Sequence, residues 1–187
     1  MHRQGDLYSK HVGGEKYLIV NTYRGQIRVH VRQFASRENG SKMYPTKVGV
    51  AMSAVRFANL MEKKPWITGR VEADLTGENG EHVSETTMWH IGGGLYAVVN
   101  KEFKLVHLRQ YWNPPGTSDI CPTKVGVAIK LDQWYALVED FKQIRERFQE
   151  LKDAKVCYQS DDHANQMGYM ECLECTPFGE LSPNITE

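Results

Sequence analysis

The sequence PTKVGVA stands at residues 45–51 and recurs without a change at residues 122–128. Working outward from it, two further stretches recur in the same order: VHVRQF at 29–34 as VHLRQY at 106–111, and HVGG at 11–14 as HIGG at 90–93. The offset between copies is 79 residues for the HVGG stretch and 77 for the others, so one two-residue deletion explains the register. A repeat of this length is no short solenoid unit. The chain therefore holds two copies of one small domain.

Composition excludes several classes of protein. The chain has 187 residues and 41% hydrophobic residues, enough to bury a core. It has no run of 18 apolar residues, so we expect no membrane span. The first residues are polar, which is unlike a secretory signal. Three of the four cysteines lie near the C-terminus, an arrangement that favours a reducing compartment over a disulfide framework.

The net charge of zero conceals an uneven distribution. Residues 1–61 contain ten basic and three acidic residues, whereas residues 155–187 contain one basic and six acidic residues. A basic first part predicts a polyanionic partner. An acidic tail could fold back over the basic surface and compete with that partner.

Each copy predicts four strands followed by a helix. In copy one the strands are centred on residues 7–12, 17–20, 26–34 and 47–52, and a helix over 53–64 is expected to stop at Pro65. Strict alternation over 26–32 predicts that Ile27, Val29 and Val31 face a core, whereas Arg28, His30, Arg32 and Phe34 face water. In copy two the predicted strands are 87–91, 95–99, 105–112 and 124–129.

The second predicted helix carries a longer apolar stripe of about five turns. The stripe consists of Trp134, Leu137, Val138, Phe141, Ile144, Phe148 and Leu151.

The predicted organisation is repeat 1 at 7–64, an acidic linker at 65–86, repeat 2 at 87–154 and an acidic tail at 155–187. One sheet with one helix leaves apolar surface uncovered. We therefore expect an α+β fold in which two four-stranded antiparallel sheets, each with a C-terminal helix, pack as an intramolecular pseudo-dimer.

This ordered set resembles the single-stranded-DNA-binding domain of the RNA polymerase II transcriptional positive cofactor four family. That family has a four-stranded antiparallel sheet followed by a helix, and it works as a homodimer. The resemblance lies in an aromatic-basic-Gly turn at residues 23–25, in the strand ends at 31–35 and 108–112, in the two PTKVGVA strands, and in Asp132-Gln133-Trp134 near the start of the second helix. It covers roughly 7–61 and 87–154.

The resemblance implies a sheet face that holds single-stranded nucleic acid, with cations on phosphates and aromatic rings on bases. Carried over position by position, the candidates in copy one are Tyr23 for stacking and Arg24, Arg28, Arg32 and Lys47 for phosphates. In copy two they are Trp112 for stacking and Lys101, Arg109 and Lys124 for phosphates. The alternative for Arg32 and Arg109 is a salt bridge or strand-end hydrogen bond. The alternative for Tyr23 and Trp112 is a contact in the core between helix and sheet.

The two copies depart differently from the family pattern. Val48 and Val125 stand where the family usually has a second basic residue. Ala35 replaces the second aromatic residue in copy one, and Leu105 takes the place of Arg28 in copy two. We therefore expect copy one to carry most of the affinity.

Cys157, His163, Cys172 and Cys175 form a second constellation. Four such ligands could close a tetrahedral zinc site. A single pair at two-residue spacing is weak support, and the surroundings are polar and acidic. A loose, reduced tail is the interpretation adopted, with no metal ligand or cofactor assigned.

The sequence contains no catalytic motif, so we expect no enzymatic activity. The leading hypothesis is a monomeric, nuclear, sequence-tolerant single-stranded DNA- or RNA-binding protein of transcription or DNA maintenance. The transcription machinery is a further candidate partner, and no membrane partner is expected. The competing hypothesis is a non-catalytic interaction scaffold that kept the fold and lost nucleic-acid binding.

Overall fold

The computed structural model describes residues 5–36, 43–76, 86–100, 105–163 and 166–178. Two four-stranded antiparallel sheets form its framework, each with its strands in sequential order. The strands of the first sheet are β1 (Asp6–Gly13), β2 (Lys16–Tyr23), β3 (Gln26–Ser36) and β4 (Met43–Ser53). The strands of the second sheet are β5 (Thr86–Gly92), β6 (Leu95–Asn100), β7 (Leu105–Trp112) and β8 (Cys121–Ile129). The predicted order of four strands and a helix in each copy is confirmed, and the class is α+β.

The helices follow the sheets in the chain. Helix α1 (Ala54–Thr76) follows β4, and α2 (Leu131–Arg147) follows β8. Two short helices come later: α3 (Gln149–Asp153) and α4 (Gln166–Glu171). In the part of the chain that the structure describes, no helix combines the length and apolarity needed to cross a bilayer.

The core lies between the sheets and the two long helices. Val29 and Val31 of β3 are fully buried, as the alternation predicts, and Val106 and Leu108 occupy the equivalent positions of β7. The stripe on α2 is also core, with Trp134, among others, fully buried. Phe57 of α1 meets Phe141 of α2 edge to face at 5.5 Å between ring centroids. One continuous apolar cluster therefore spans both repeats.

The predicted stop of the first helix at Pro65 is wrong. Helix α1 continues through Pro65 to Thr76, so residues 65–76 of the predicted linker are helical. A proline removes one backbone hydrogen bond from a helix interior. Beyond it, Ile67 and Val71 are buried in the core, and this burial outweighs the local cost. Residues 77–85 of the predicted linker lie outside the described residues.

The second predicted helix is interrupted. Phe148 has an extended backbone, with φ −111° and ψ 113°, and it separates α2 from α3. The break redirects the chain while Leu151 stays buried in the same core. The stripe is thus correctly identified as core, whereas its continuity as one helix is wrong.

Candidate nucleic-acid interface

The face of the first sheet turned away from the core carries the candidate residues of copy one. We call it the first outer face and define it by Tyr23, Arg28, His30 and Arg32. Strand register puts Asn21 opposite Arg28, and Tyr23 opposite Gln26 on the same face. The β2–β3 hairpin therefore brings together a ring and two guanidinium groups that are separated along the chain.

A tight turn holds Tyr23 and Arg24 at the tip of this hairpin. Arg24 has φ 52° and Gly25 has φ 75°, the pair of positive values typical of a two-residue hairpin turn. Among the described residues, Arg24 is the one non-glycine residue with a positive φ. Its guanidinium carbon lies 5.3 Å from the centroid of the Tyr23 ring. The turn thus presents an aromatic ring with a cation placed over it.

Tyr23 is available for stacking. Its exposed fraction is 57%, so the alternative of a core contact is wrong for this residue. Exposed aromatic rings bind unpaired bases by stacking, without reading their sequence. Arg28 is half-buried and donates to Oε1 of Gln26 at 2.9 Å. Both side chains therefore meet solvent on the same face.

Arg32 has a structural role as well as a charge. Its Nη1 donates to the backbone carbonyl of Thr46 at 2.9 Å, and Arg109 makes the equivalent bond to Thr123 at 2.7 Å. A hydrogen bond to the backbone is therefore present in both copies, next to the register shift of each strand pair. Across the described ranges, no carboxylate lies within ion-pair distance of Arg28, Arg32 or Arg109. Their positive charges remain uncompensated by ion pairs to described residues.

His30 lies beside these cations and stays neutral. Burial, followed by the positive charge of Arg32, lowers the pKa of His30 to about 4, although Asp6 opposes this change. The Nε2 of His30 donates to Oδ1 of Asn21 at 3.0 Å. The imidazole therefore contributes a hydrogen-bonding group to the first outer face and no charge at neutral pH.

Phe34 does not face water, and that prediction is wrong. Phe34 is 7% exposed, and the centroid of its ring lies 4.8 Å from that of Tyr17. The centroids of the Tyr17 and His11 rings are 5.0 Å apart. An equivalent row of rings occurs in the second sheet, formed by His90, Tyr96 and Tyr111. Sequence reasoning missed these rows, although His11, Phe34, His90 and Tyr111 belong to repeated stretches and Tyr17 and Tyr96 hold equivalent positions.

The candidates of copy two do not form one surface. Trp112 is 48% exposed, so it is no core contact, but strand alternation puts it on the opposite face of β7 from Arg109. Lys124 is exposed on β8, as Lys47 is on β4. Lys101 lies outside the described residues.

Between α1, the edge strand β5 and the tail lies a cavity of about 620 Å³. His90 and Tyr96 border it, together with Tyr158 and Tyr169 of the tail. Burial lowers the pKa of His90 to about 4, although Glu174 opposes this change. Part of the second sheet thus meets the tail instead of open solvent.

The described part of the tail does not cover the first outer face. Both nitrogens Nε and Nη2 of Arg56 on α1 donate to the carboxylate of Glu174, at 2.7 and 2.9 Å. The backbone N–H of Gly93 donates to the carbonyl of Glu174 at 2.9 Å. The expectation that the tail folds over the basic sheet is therefore wrong for residues 155–163 and 166–178, while residues 164–165 and 179–187 lie outside the described ranges.

The same segment brings Cys157, His163, Cys172 and Cys175 together, with their ligand atoms within 4.8 Å of one another. These residues could hold a metal ion. The interpretation of the tail as loose is corrected for this segment, which contains two 3₁₀ turns (Cys157–Gln159 and Asp161–His163) and α4.

Comparison of the sequence with models of known protein families and with curated proteins gives no match.

Proposed function

We propose that the first outer face binds single-stranded nucleic acid with little sequence preference. The observation that carries this proposal is the exposed Tyr23 ring beside Arg24 and Arg28 on one face of the β2–β3 hairpin. The ring supplies a stacking platform, and the guanidinium groups track the phosphates. Base stacking of this kind contributes about 1–3 kcal/mol per base.

The proposal extends to a role for the chain as a tandem member of the positive cofactor four family. In this proposal it acts in the nucleus, in transcription or DNA maintenance. The support is the repeated order of four strands and a helix, together with the aromatic-basic-Gly turn at residues 23–25.

We further propose that the two repeats act as an internal pseudo-dimer. Reciprocal contacts support this arrangement. Gln133 of α2 donates through Nε2 to the carbonyl of Gly13 in the first repeat at 3.0 Å. Arg56, at the equivalent position of α1, lies against the turn at Gly92 and Gly93 in the second repeat. Each helix thus reaches the glycine turn of the other sheet.

Fluorescence anisotropy with labelled oligo-dT at two salt concentrations tests the proposed binding. The full chain should bind at low salt and more weakly at high salt, because binding releases counterions from the strand. The variant Arg24→Ala/Arg28→Ala should lose affinity by at least about tenfold and show a shallower salt dependence. Lys142→Ala/Arg145→Ala is the control, because it removes the same charge from exposed positions on α2.

Equal losses from the two double variants would show attraction by net charge alone and would contradict a site on the first outer face. Absence of binding at low salt would overturn the proposal and favour the interaction scaffold. Competition between oligo-dT and oligo-U then distinguishes DNA from RNA, which differ at the 2′-hydroxyl.

A further inference from the structure

We propose that Cys157, His163, Cys172 and Cys175 form a structural zinc site that fastens the C-terminal segment to both repeats. The four ligand atoms converge from three separate places in the chain, and the structure brings them within 4.8 Å of one another. Neither the composition nor the fold of the repeats requires such convergence.

The separations match a tetrahedral centre. Zinc binds sulfur at about 2.3 Å and imidazole nitrogen at about 2.0–2.1 Å, so ligand atoms on a tetrahedron lie about 3.5–3.8 Å apart. The sulfurs of Cys157 and Cys172 are 3.5 Å apart. One nitrogen of His163 can bind the ion: its Nε2 lies 3.9 Å from the sulfur of Cys157, and its Nδ1 lies 3.9 Å from the sulfur of Cys175. With one ligand atom taken from each residue, all four atoms lie within 4.8 Å of one another. The cluster therefore has the size of a site for one ion.

A disulfide does not explain the cluster. A bonded pair of sulfurs lies about 2.05 Å apart, well short of the 3.5 Å between Cys157 and Cys172. All four cysteines of the chain are free thiols. Three thiolates and one imidazole suit zinc, because soft sulfur ligands in a closed tetrahedron are typical of its structural sites.

The backbone around Cys172 has the geometry of a ligand-bearing turn. The N–H of Cys175 donates to the carbonyl of Cys172 at 3.1 Å, and that of Thr176 donates to the same carbonyl at 2.8 Å. The turn therefore fixes two of the four side chains at two-residue spacing.

The segment has little else to hold its shape. Among the side chains described between Cys157 and Phe178, Thr176 is the one that is buried. Its regular elements are two 3₁₀ turns of three residues each and one helix of six. A segment this small cannot bury enough apolar surface to order itself, and metals commonly supply the missing stability.

The proposed site lies where the C-terminal segment contacts both repeats. Glu174 lies between two ligands and accepts two hydrogen bonds from Arg56 of the first repeat. Its carbonyl accepts from Gly93 of the second repeat. The backbone N–H of Cys157 donates to Oδ1 of Asn59, whose Nδ2 donates to the carbonyl of Ile91. Metal binding at the four ligands would therefore fix contacts to both repeats.

Metal analysis of the purified full chain tests the proposal directly. Plasma mass spectrometry should find about one zinc per chain after extensive dialysis. Titration of the metal-free chain with Co²⁺ should give the visible d–d bands and thiolate charge-transfer band of tetrahedral sulfur coordination. Cys172→Ser and His163→Ala should each lose the bound zinc, whereas Cys121→Ser, which removes a thiol on β8, should retain it.

Chelation of the wild-type chain keeps the test independent of whether the variants fold. Removal of zinc with a chelator should abolish hydrogen-exchange protection in residues 157–178 and leave the strands protected, because metal binding supplies the folding free energy of such segments. Absence of zinc together with absence of cobalt bands would overturn the proposal. So would a Cys157–Cys172 disulfide in the native chain, or unchanged protection after chelation.

Discussion

The two sheets share a framework but present different surfaces. Arg32 and Arg109 make the same hydrogen bond to the backbone at equivalent positions of β3 and β7, and each sheet carries the same row of three rings. Arg28 has no such counterpart, since Leu105 stands in its place. The hairpin residues 101–104 of copy two lie outside the described ranges. The hydrogen bond and the row of rings thus belong to the shared framework, whereas Arg28 belongs to the first sheet alone.

The second repeat has a specialisation of its own. Glu174 and its neighbours dock on α1 and on the turn at Gly93, and the tail borders the cavity beside His90. For the described residues, the first sheet thus leaves its hairpin open, while the second sheet meets the tail. This contrast favours a division of labour between ligand binding and attachment of the C-terminal segment.

The largest expected effect is on the free energy of unfolding, and it follows substitution at equivalent core positions of the two repeats. Leu60 and Leu137 hold the same position on α1 and α2, and both are fully buried. Leu60→Ala and Leu137→Ala should each lower the free energy of unfolding by about 2–5 kcal/mol, because each leaves a cavity in one shared core. Urea denaturation measures both losses. Two separate unfolding transitions, each sensitive to one variant, would contradict a shared core.

The next effect is on oligo-dT binding, and it distinguishes the two stacking candidates, Tyr23 and Trp112. Tyr23→Ala should weaken oligo-dT binding by about 1–3 kcal/mol, the contribution of one stacked base. Trp112→Ala should weaken it less, because strand alternation puts Trp112 on the opposite face from Arg109. Fluorescence anisotropy at constant salt compares the two variants. A greater loss of affinity from Trp112→Ala would show that the stacking site lies in copy two.

Arg32→Ala and Arg109→Ala form a matched pair, since each removes the same hydrogen bond to the backbone. Their effects on the thermal midpoint should be similar. In salt titrations of oligo-dT binding, Arg32→Ala should reduce the slope of log K against log salt by about 0.7, the value for one phosphate contact on a single strand. Arg109→Ala should change it less. Equal reductions would refute the asymmetry between copies.

The last prediction concerns the pH dependence of the free energy of unfolding. The pKa of His30 is lowered to about 4, by burial first and by Arg32 second, against about 6.5 in an unfolded chain. As the pH falls, the unfolded chain takes up the proton first, so the free energy of unfolding decreases between about pH 6.5 and 4. His30→Gln should flatten this decrease in urea denaturation at several pH values. An unchanged pH profile would show that His30 contributes nothing to it.

The alternation at residues 26–32 was enough to identify the buried side of β3, because each pleat reverses the direction of the side chain. It also gave the correct side for Phe34 but not its exposure, because the Tyr17 ring on β2 covers Phe34 on the outer side. The predicted end of the first helix at Pro65 was wrong for a related reason. Local preference would end the helix there, but burial of Ile67 and Val71 beyond Pro65 stabilises its continuation. Local rules thus fail where a contact distant in sequence has the larger energy.

The sequence by itself determined the duplication, the strand order and the core stripe of α2, because periodicity and repetition are properties of the chain alone. Tertiary structure decided which rings remain exposed and that the four cysteine and histidine ligands meet. The reason is physical: exposure and ligand separation depend on the packing of segments far apart in the chain, as when Arg56 meets Glu174.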